Sequence, residues 1–219
     1  MGLQLRSYIF NKMAENAYLV WDPSDGTAVL VDPGFVSDAE LAVLEEEIAR
    51  EGLRPLAVLV THPHIDHTAG AAELCRRYGI ECHASMLDRD LADRQTEFRK
   101  LYRVDGEIPA ASFRFFDAGV QTLRFGRIEV QVLPLGGHTA GSVAYYLPDA
   151  AAVFVGDTVT KGSLGFLETG YGETLDRIRD YLLPLPDSTL LLPGHGEAST
   201  IGEEKRSNRF FIRCASRIS

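Results

Sequence analysis

The stretch Thr61-His62-Pro63-His64-Ile65-Asp66-His67 constrains this chain more than any other. It follows the apolar run Leu56-Ala57-Val58-Leu59-Val60, so three imidazoles and a carboxylate fall where a buried strand empties into a loop. Those side chains suit zinc, iron or manganese. In an extended segment residues two apart share a side, which lets His62 and His64 grip one ion while Asp66 and His67, past the turn, face a second. The spacing predicts two adjacent ions. The competing reading is a His-rich exposed loop without metal.

Three further strand ends carry one candidate each: Gly136-Gly137-His138-Thr139-Ala140-Gly141-Ser142, then Gly156-Asp157-Thr158, then Pro193-Gly194-His195-Gly196. Flanking glycines permit the close backbone approach that converging loops need. Five of the six histidines lie in these motifs, and His83, the sixth, is expected to be an ordinary strand residue.

The 219 residues are 45% hydrophobic, enough for one core and one domain spanning 1–219. A formal charge of -9 and the lack of a Lys/Arg-rich block disfavour nucleic-acid binding. No apolar run approaches the roughly 18–20 residues of a membrane span, and no secretory h-region follows Met1. A soluble, cytoplasmic protein is expected. Its three cysteines, Cys75, Cys82 and Cys214, show no paired spacing and are expected to be reduced.

Strands are predicted over 3–10, 17–21 and 28–31. Ser37-Asp38-Ala39-Glu40 is a capping box for a helix to about Arg50, with Leu41, Leu44 and Ile48 inward and Glu45-Glu46-Glu47 largely in water. The strand at 56–60, the histidine loop, a helix over 69–78 stopped by Gly79 and a strand over 80–83 come next. Residues 84–112, interrupted by Gly106 and Pro109, read as a charged flank or lid. A hairpin turning at Phe125-Gly126-Arg127 opens the second half, which repeats the plan with strands at 142–147, 152–155 and 188–192 and a helix over 173–183. Two β-rich halves with helices predict an α+β fold: two packed mixed sheets covered on both outer faces, an αββα four-layer sandwich.

The set H-x-H-x-D-H, G-H-T-x-G-S, G-D-T and P-G-H-G, in this order, resembles the metallo-β-lactamase superfamily, within it the glyoxalase II group of hydroxyacylglutathione hydrolases, and there the short versions that lack a C-terminal helical domain. The ending Thr200-Ile201-Gly202-Glu203-Glu204-Lys205-Arg206-Ser207-Asn208-Arg209-Phe210 is similar to their tail. The resemblance implies that His62, His64 and His138 hold one metal, that Asp66, His67 and His195 hold the other, and that Asp157 bridges them. It implies two divalent cations, zinc first with iron or manganese as alternatives. Such a pair acidifies a shared water and polarises a carbonyl, hydrolysing a thioester without a protein nucleophile. Asp66 is also a candidate for proton handling, although a metal-bound carboxylate is a poor base.

The chain departs from the group at the substrate contacts. Where glyoxalase II enzymes carry a basic residue after a glycine, here Gly165, this chain has Phe166-Leu167-Glu168; two positions after the last histidine, Glu197 replaces a tyrosine. Phe166, Glu168, Tyr171 and Glu197 are the candidate substrate contacts. Two alternatives share the scaffold: persulfide dioxygenases, whose single iron would map to His62, His138 and Asp157, and lactonases, for which Phe166, Leu167 and Tyr171 would form an apolar pocket. A different class, a non-enzymatic metal-binding module, would predict lost ligands or a fused cofactor domain. Arg206, Arg209, Arg213 and Arg217 recur at helical spacing, either a solvated face or a basic stripe that attracts anions or packs a second subunit as a homodimer.

Overall fold

Alternating side chains decide the layers. In the strand Glu15–Trp21, Tyr18 and Val20 join one buried cluster and Leu19 and Trp21 another; in Thr27–Val31, Val29 and Val31 part from Ala28 and Leu30 in the same way. Both faces are covered, so these strands read as continuous apolar runs. The computed structural model describes residues 2–95, 97, 100 and 111–215. Its first sheet comprises β1 (Gln4–Phe10), β2 (Glu15–Trp21), β3 (Thr27–Val31), β4 (Arg54–Leu59), β5 (Glu81–Ser85) and β6 (Phe113–Phe116), paired in that order. Antiparallel pairing of β1–β2–β3 gives way to parallel pairing from β3 through β6.

The second sheet holds β7 (Gln121–Phe125), β8 (Ile128–Pro134), β9 (Val143–Leu147), β10 (Ala152–Gly156), β13 (Leu190–Pro193) and β14 (Ser199–Thr200), in the order β14-β13-β10-β9-β8-β7. Only β10–β13 is parallel there, and β11 (Val159–Thr160) with β12 (Ser163–Leu164) forms a separate small hairpin. Between the sheets lies an apolar layer in which Phe154 meets Tyr18 edge-on at 5.0 Å. Each fully buried side chain there contributes about 1.5–3 kcal/mol.

Helices complete the αββα sandwich. On the first sheet, α1 (Asp38–Arg50) inserts Leu41, Leu44 and Ile48, and α3 (Ala71–Tyr78) inserts Leu74; α2 (Ile65–Thr68) is a single turn in the histidine loop, and α4 (Arg89–Asp93) follows β5. On the second, α5 (Tyr171–Arg177), its π-helical continuation Ile178–Leu182, α6 (Ile201–Ser207) and α7 (Arg209–Ala215) bury Leu175, Ile178, Leu182, Ile201 and Phe211. Among the described residues no helix is long and apolar enough to cross a membrane.

The local signals hold at most boundaries. Ser37 caps α1 with both halves of the capping box present, and Gly79, at φ 66°, ends α3 in the left-handed conformation that glycine adopts freely. Ser37→Ala is expected to cost about 1 kcal/mol, readable as a lower denaturant midpoint at unchanged slope.

Four expectations are corrected. Glu47 is not in water but 3% exposed, because Arg6 of β1 and Arg50 close over its carboxylate. The flank expected over 84–112 starts with the last two residues of β5 and with α4, while β6, unforeseen, pairs with β5 and supplies the sheet edge; Gly106 and Pro109 lie outside the described residues. The helix expected from 173 starts at Tyr171. The arginine stripe does not run on one helix: Asn208 separates α6 from α7 and donates to the Ser163 carbonyl at 3.1 Å, leaving Arg206 apart from Arg209 and Arg213, with Arg217 outside the described residues. All three cysteines are free thiols.

Candidate metal centre

The loops after β4, β8, β10 and β13 leave the sandwich at one edge and bring His62, His64, Asp66, His67, His138, Asp157 and His195 together. Three imidazole nitrogens meet first: His64 Nδ1 stands 3.0 Å from His62 Nε2 and 3.0 Å from His138 Nε2. Beside them, Asp66 Oδ2 lies 3.1 Å from His195 Nε2 and 3.7 Å from His67 Nε2. Asp157 spans both groups, with Oδ1 3.5 Å from His67 Nε2 and Oδ2 3.8 Å from His138 Nε2 and 3.5 Å from His195 Nε2.

The rings are held from behind. His138 Nδ1 donates to the Phe166 carbonyl at 2.7 Å and His195 Nδ1 to the Met13 carbonyl at 3.1 Å, while His67 Nδ1 lies 3.1 Å from Asp32 Oδ2 and His62 Nδ1 3.2 Å from Thr61 Oγ1. Such outer partners fix the tautomer and leave the inner nitrogen as a lone-pair donor. Gly194 is required next to His195, since a Cβ there would collide with Asp157 Oδ1 and the His67 ring.

Burial, then the neighbouring imidazoles, pushes His62 well below the usual histidine range and His64 down to about 4. Both are neutral near pH 7, the form that ligates. Burial works to raise Asp157, but the charge of His67, with those of His195 and His138, outweighs it and holds the carboxyl well below the usual range. Asp66 behaves likewise: burial opposes, and the His195 hydrogen bond and the His67 charge prevail.

A cation fits this arrangement. His67 Nε2 and Asp157 Oδ1 are buried with no hydrogen-bond partner, a costly arrangement for polar atoms unless a ligand satisfies them. The mixed imidazole and carboxylate donors suit a divalent metal of the zinc, iron or manganese type.

Several supporting residues carry no motif. Asp32 accepts from the Thr61 amide at 2.7 Å and the Thr61 hydroxyl at 2.6 Å while facing His67, and it stands directly after the strand expected over 28–31. Asp88 accepts from the Thr139 hydroxyl at 2.6 Å and the Gly141 amide at 2.7 Å, tying down the His138 loop from the expected flank. Asn11 and Asn16 bind the backbones around Asp66 and His195. A polar residue at the end of an apolar strand run is the signal that could have found Asp32; Asp88 has none.

None of the four substrate candidates is a member of the ligand groups. Phe166 is 75% exposed and meets the cluster through its carbonyl on His138. The Glu168 amide donates to Gly137, so its backbone clasps the His138 loop. Tyr171 packs edge-on against Phe210 and lines a 380 Å³ recess with Arg209 and Arg213. Glu197 is exposed and paired with Lys161 at 3.0 Å. A cavity of about 750 Å³ between β5–β6 and β7 shares no residue with the cluster; buried His83 lines it, edge-on to Phe125 at 5.2 Å.

The family model described as metallo-beta-lactamase superfamily matches residues 11–195. The chain belongs to the metallo-beta-lactamase superfamily. Among its superfamily relatives, the hydroxyacylglutathione hydrolase GloC of Haemophilus influenzae is 31% identical over 204 residues, covering 90% of this chain and 92% of that protein. The structure of BLEG-1, a B3 metallo-beta-lactamase, superposes with a TM-score of 0.81 at 30% identity, covering 95% and 99% of the two chains. The di-iron-bound form of TTHA1623 superposes at 0.78 with 33% identity, covering 94% and 99%. As a metallo-beta-lactamase-fold hydrolase, the chain presents its His/Asp cluster at the edge where the strands of both sheets end.

Proposed function

We propose that this chain hydrolyses thioesters of the hydroxyacylglutathione class at a binuclear centre. The observation that carries the reading is Asp157, whose carboxylate reaches both triads, Oδ1 facing His67 and Oδ2 facing both His195 and His138. His62, His64 and His138 would hold one cation, Asp66, His67 and His195 the other, and Asp157 both. When bound, two divalent cations supply Lewis acidity at a carbonyl and a water acidified towards neutrality. The chain itself orients the donors through Asp32, Phe166 and Met13, and offers Asp66, in contact with His195 and held ionised, as a carboxylate able to accept a proton from the attacking water. Likeness to GloC over 90% of the chain supports the substrate class.

Metal content measured together with thioester cleavage and oxygen uptake tests this. Two metals per chain, S-lactoylglutathione hydrolysis and no oxygen uptake on glutathione persulfide are expected. One iron with oxygen consumption would replace the hydrolase by a mononuclear dioxygenase using His62, His138 and Asp157.

Phe166 is an exposed apolar side chain whose carbonyl holds His138, at the position where the resemblance to glyoxalase II implies a cation, and the charge of Glu197 is offset by Lys161. Phe166→Arg is expected to lower KM for S-lactoylglutathione about fivefold with little change in kcat, the ~1 kcal/mol of an exposed ion pair. An unchanged KM would remove Phe166 from the contact surface.

A further inference from the structure

The hairpin joining β1 to β2 brings no ligand to the cluster, yet its hydrogen bonds converge on one half of it. The Asn11 carboxamide donates to the Gly34 carbonyl at 3.0 Å and the Asp66 carbonyl at 3.1 Å, and its oxygen accepts from the Met13 amide at 2.9 Å. The Met13 carbonyl then receives His195 Nδ1 at 3.1 Å. At the base of the hairpin, Asn16 is 7% exposed and surrounds the His195 loop: its amide donates to the Gly194 carbonyl at 2.7 Å, and its carboxamide to the carbonyls of Pro193 at 3.0 Å and Gly196 at 2.9 Å. Asp66 and His195 lie 50 positions or more from either asparagine, so these contacts hold the two ligands from a distant part of the chain.

The chemistry asks for asparagine at both places. Each carboxamide spends its N–H groups on two carbonyl oxygens, which a carboxylate of the same shape would repel. Asn11 also sits at φ 52°, a left-handed backbone that asparagine tolerates better than most residues. The other triad is held from elsewhere: His138 by the Phe166 carbonyl and, through Thr139 and Gly141, by Asp88.

We infer that Asn11 and Asn16 are positioning residues for Asp66 and His195, and that the β1–β2 hairpin thereby decides whether the centre holds two cations or one. The inference rests on the binuclear reading and adds a determinant of occupancy to it. Outer partners of metal ligands change affinity by about ten- to a hundredfold, enough to empty one site while its neighbour stays filled.

The test is a Zn²⁺ titration of metal-free protein against a competing chelator dye, with bound metal counted by mass spectrometry. Asn16→Asp reverses the carboxamide at constant shape; Asn11→Gly removes the side chain while keeping the left-handed backbone, and serves where the first variant fails to fold. Wild type is expected to take up two Zn²⁺, and each variant to lose about ten- to a hundredfold in affinity at one site with the other unchanged. Equal weakening of both sites, the mark of a general structural defect, overturns the inference, as do two sites of unchanged affinity. A wild-type chain binding a single Zn²⁺ overturns the binuclear reading itself.

Discussion

Asp157→Ala is expected to leave a folded chain that retains neither cation tightly and cleaves S-lactoylglutathione more than about a hundredfold more slowly, beyond the ten- to hundredfold loss typical of outer partners. The reason lies in its place between the triads: Oδ1 faces His67, Oδ2 faces His138 and His195, and alanine supplies nothing to either. The fold survives because the change removes a partly exposed carboxylate with one buried, unpartnered oxygen rather than an apolar contact. Metal content, circular dichroism and steady-state kinetics on one preparation check all three parts. A variant with wild-type turnover would end the proposed mechanism.

Asp32→Ala is expected to be the more damaging change for stability, at about 3–5 kcal/mol, because it orphans groups that cannot reach water. Asp32 is 1% exposed and satisfies the Thr61 amide, the Thr61 hydroxyl and His67 Nδ1. For a chain of this size the loss corresponds to a thermal midpoint lower by about 6–20 °C, best measured on metal-free protein so that ligand binding does not contribute. A loss under about 1 kcal/mol, the range of an exposed ion pair, would mean that this network stabilises little.

The two substitutions mark what was legible in the sequence. His62, His64, Asp66 and His67 could be read because their spacing and donor chemistry are local, and glycine-flanked His138, Asp157 and His195 because each ends an apolar strand run. The strand periods foretold the layers for the same reason: burial on two faces is written in consecutive residues. What escaped depends on partners far away in the chain. Asn16 meets Pro193 across 177 positions, Asp88 meets Thr139 across 51, and Glu47 is buried by Arg6 from another element. None leaves a local trace, since a helix or turn can hold a polar residue for many reasons. The substrate candidates proved hard to read for a further reason: Phe166 touches the cluster through a backbone carbonyl, which every residue type possesses.

One consequence follows from how the donors are divided. Four of the seven ride on the loop after β4 in the first sheet, while His138, Asp157 and His195 leave the second, so neither sheet alone presents either complete set. A cation held there is also a rivet between the two halves of the sandwich, and its affinity and the free energy of docking one sheet on the other are linked quantities. Two fragments produced by cutting the chain between β6 and β7 would therefore find each other more tightly in the presence of Zn²⁺, and the strength of their reassembly would report on the centre without any substrate.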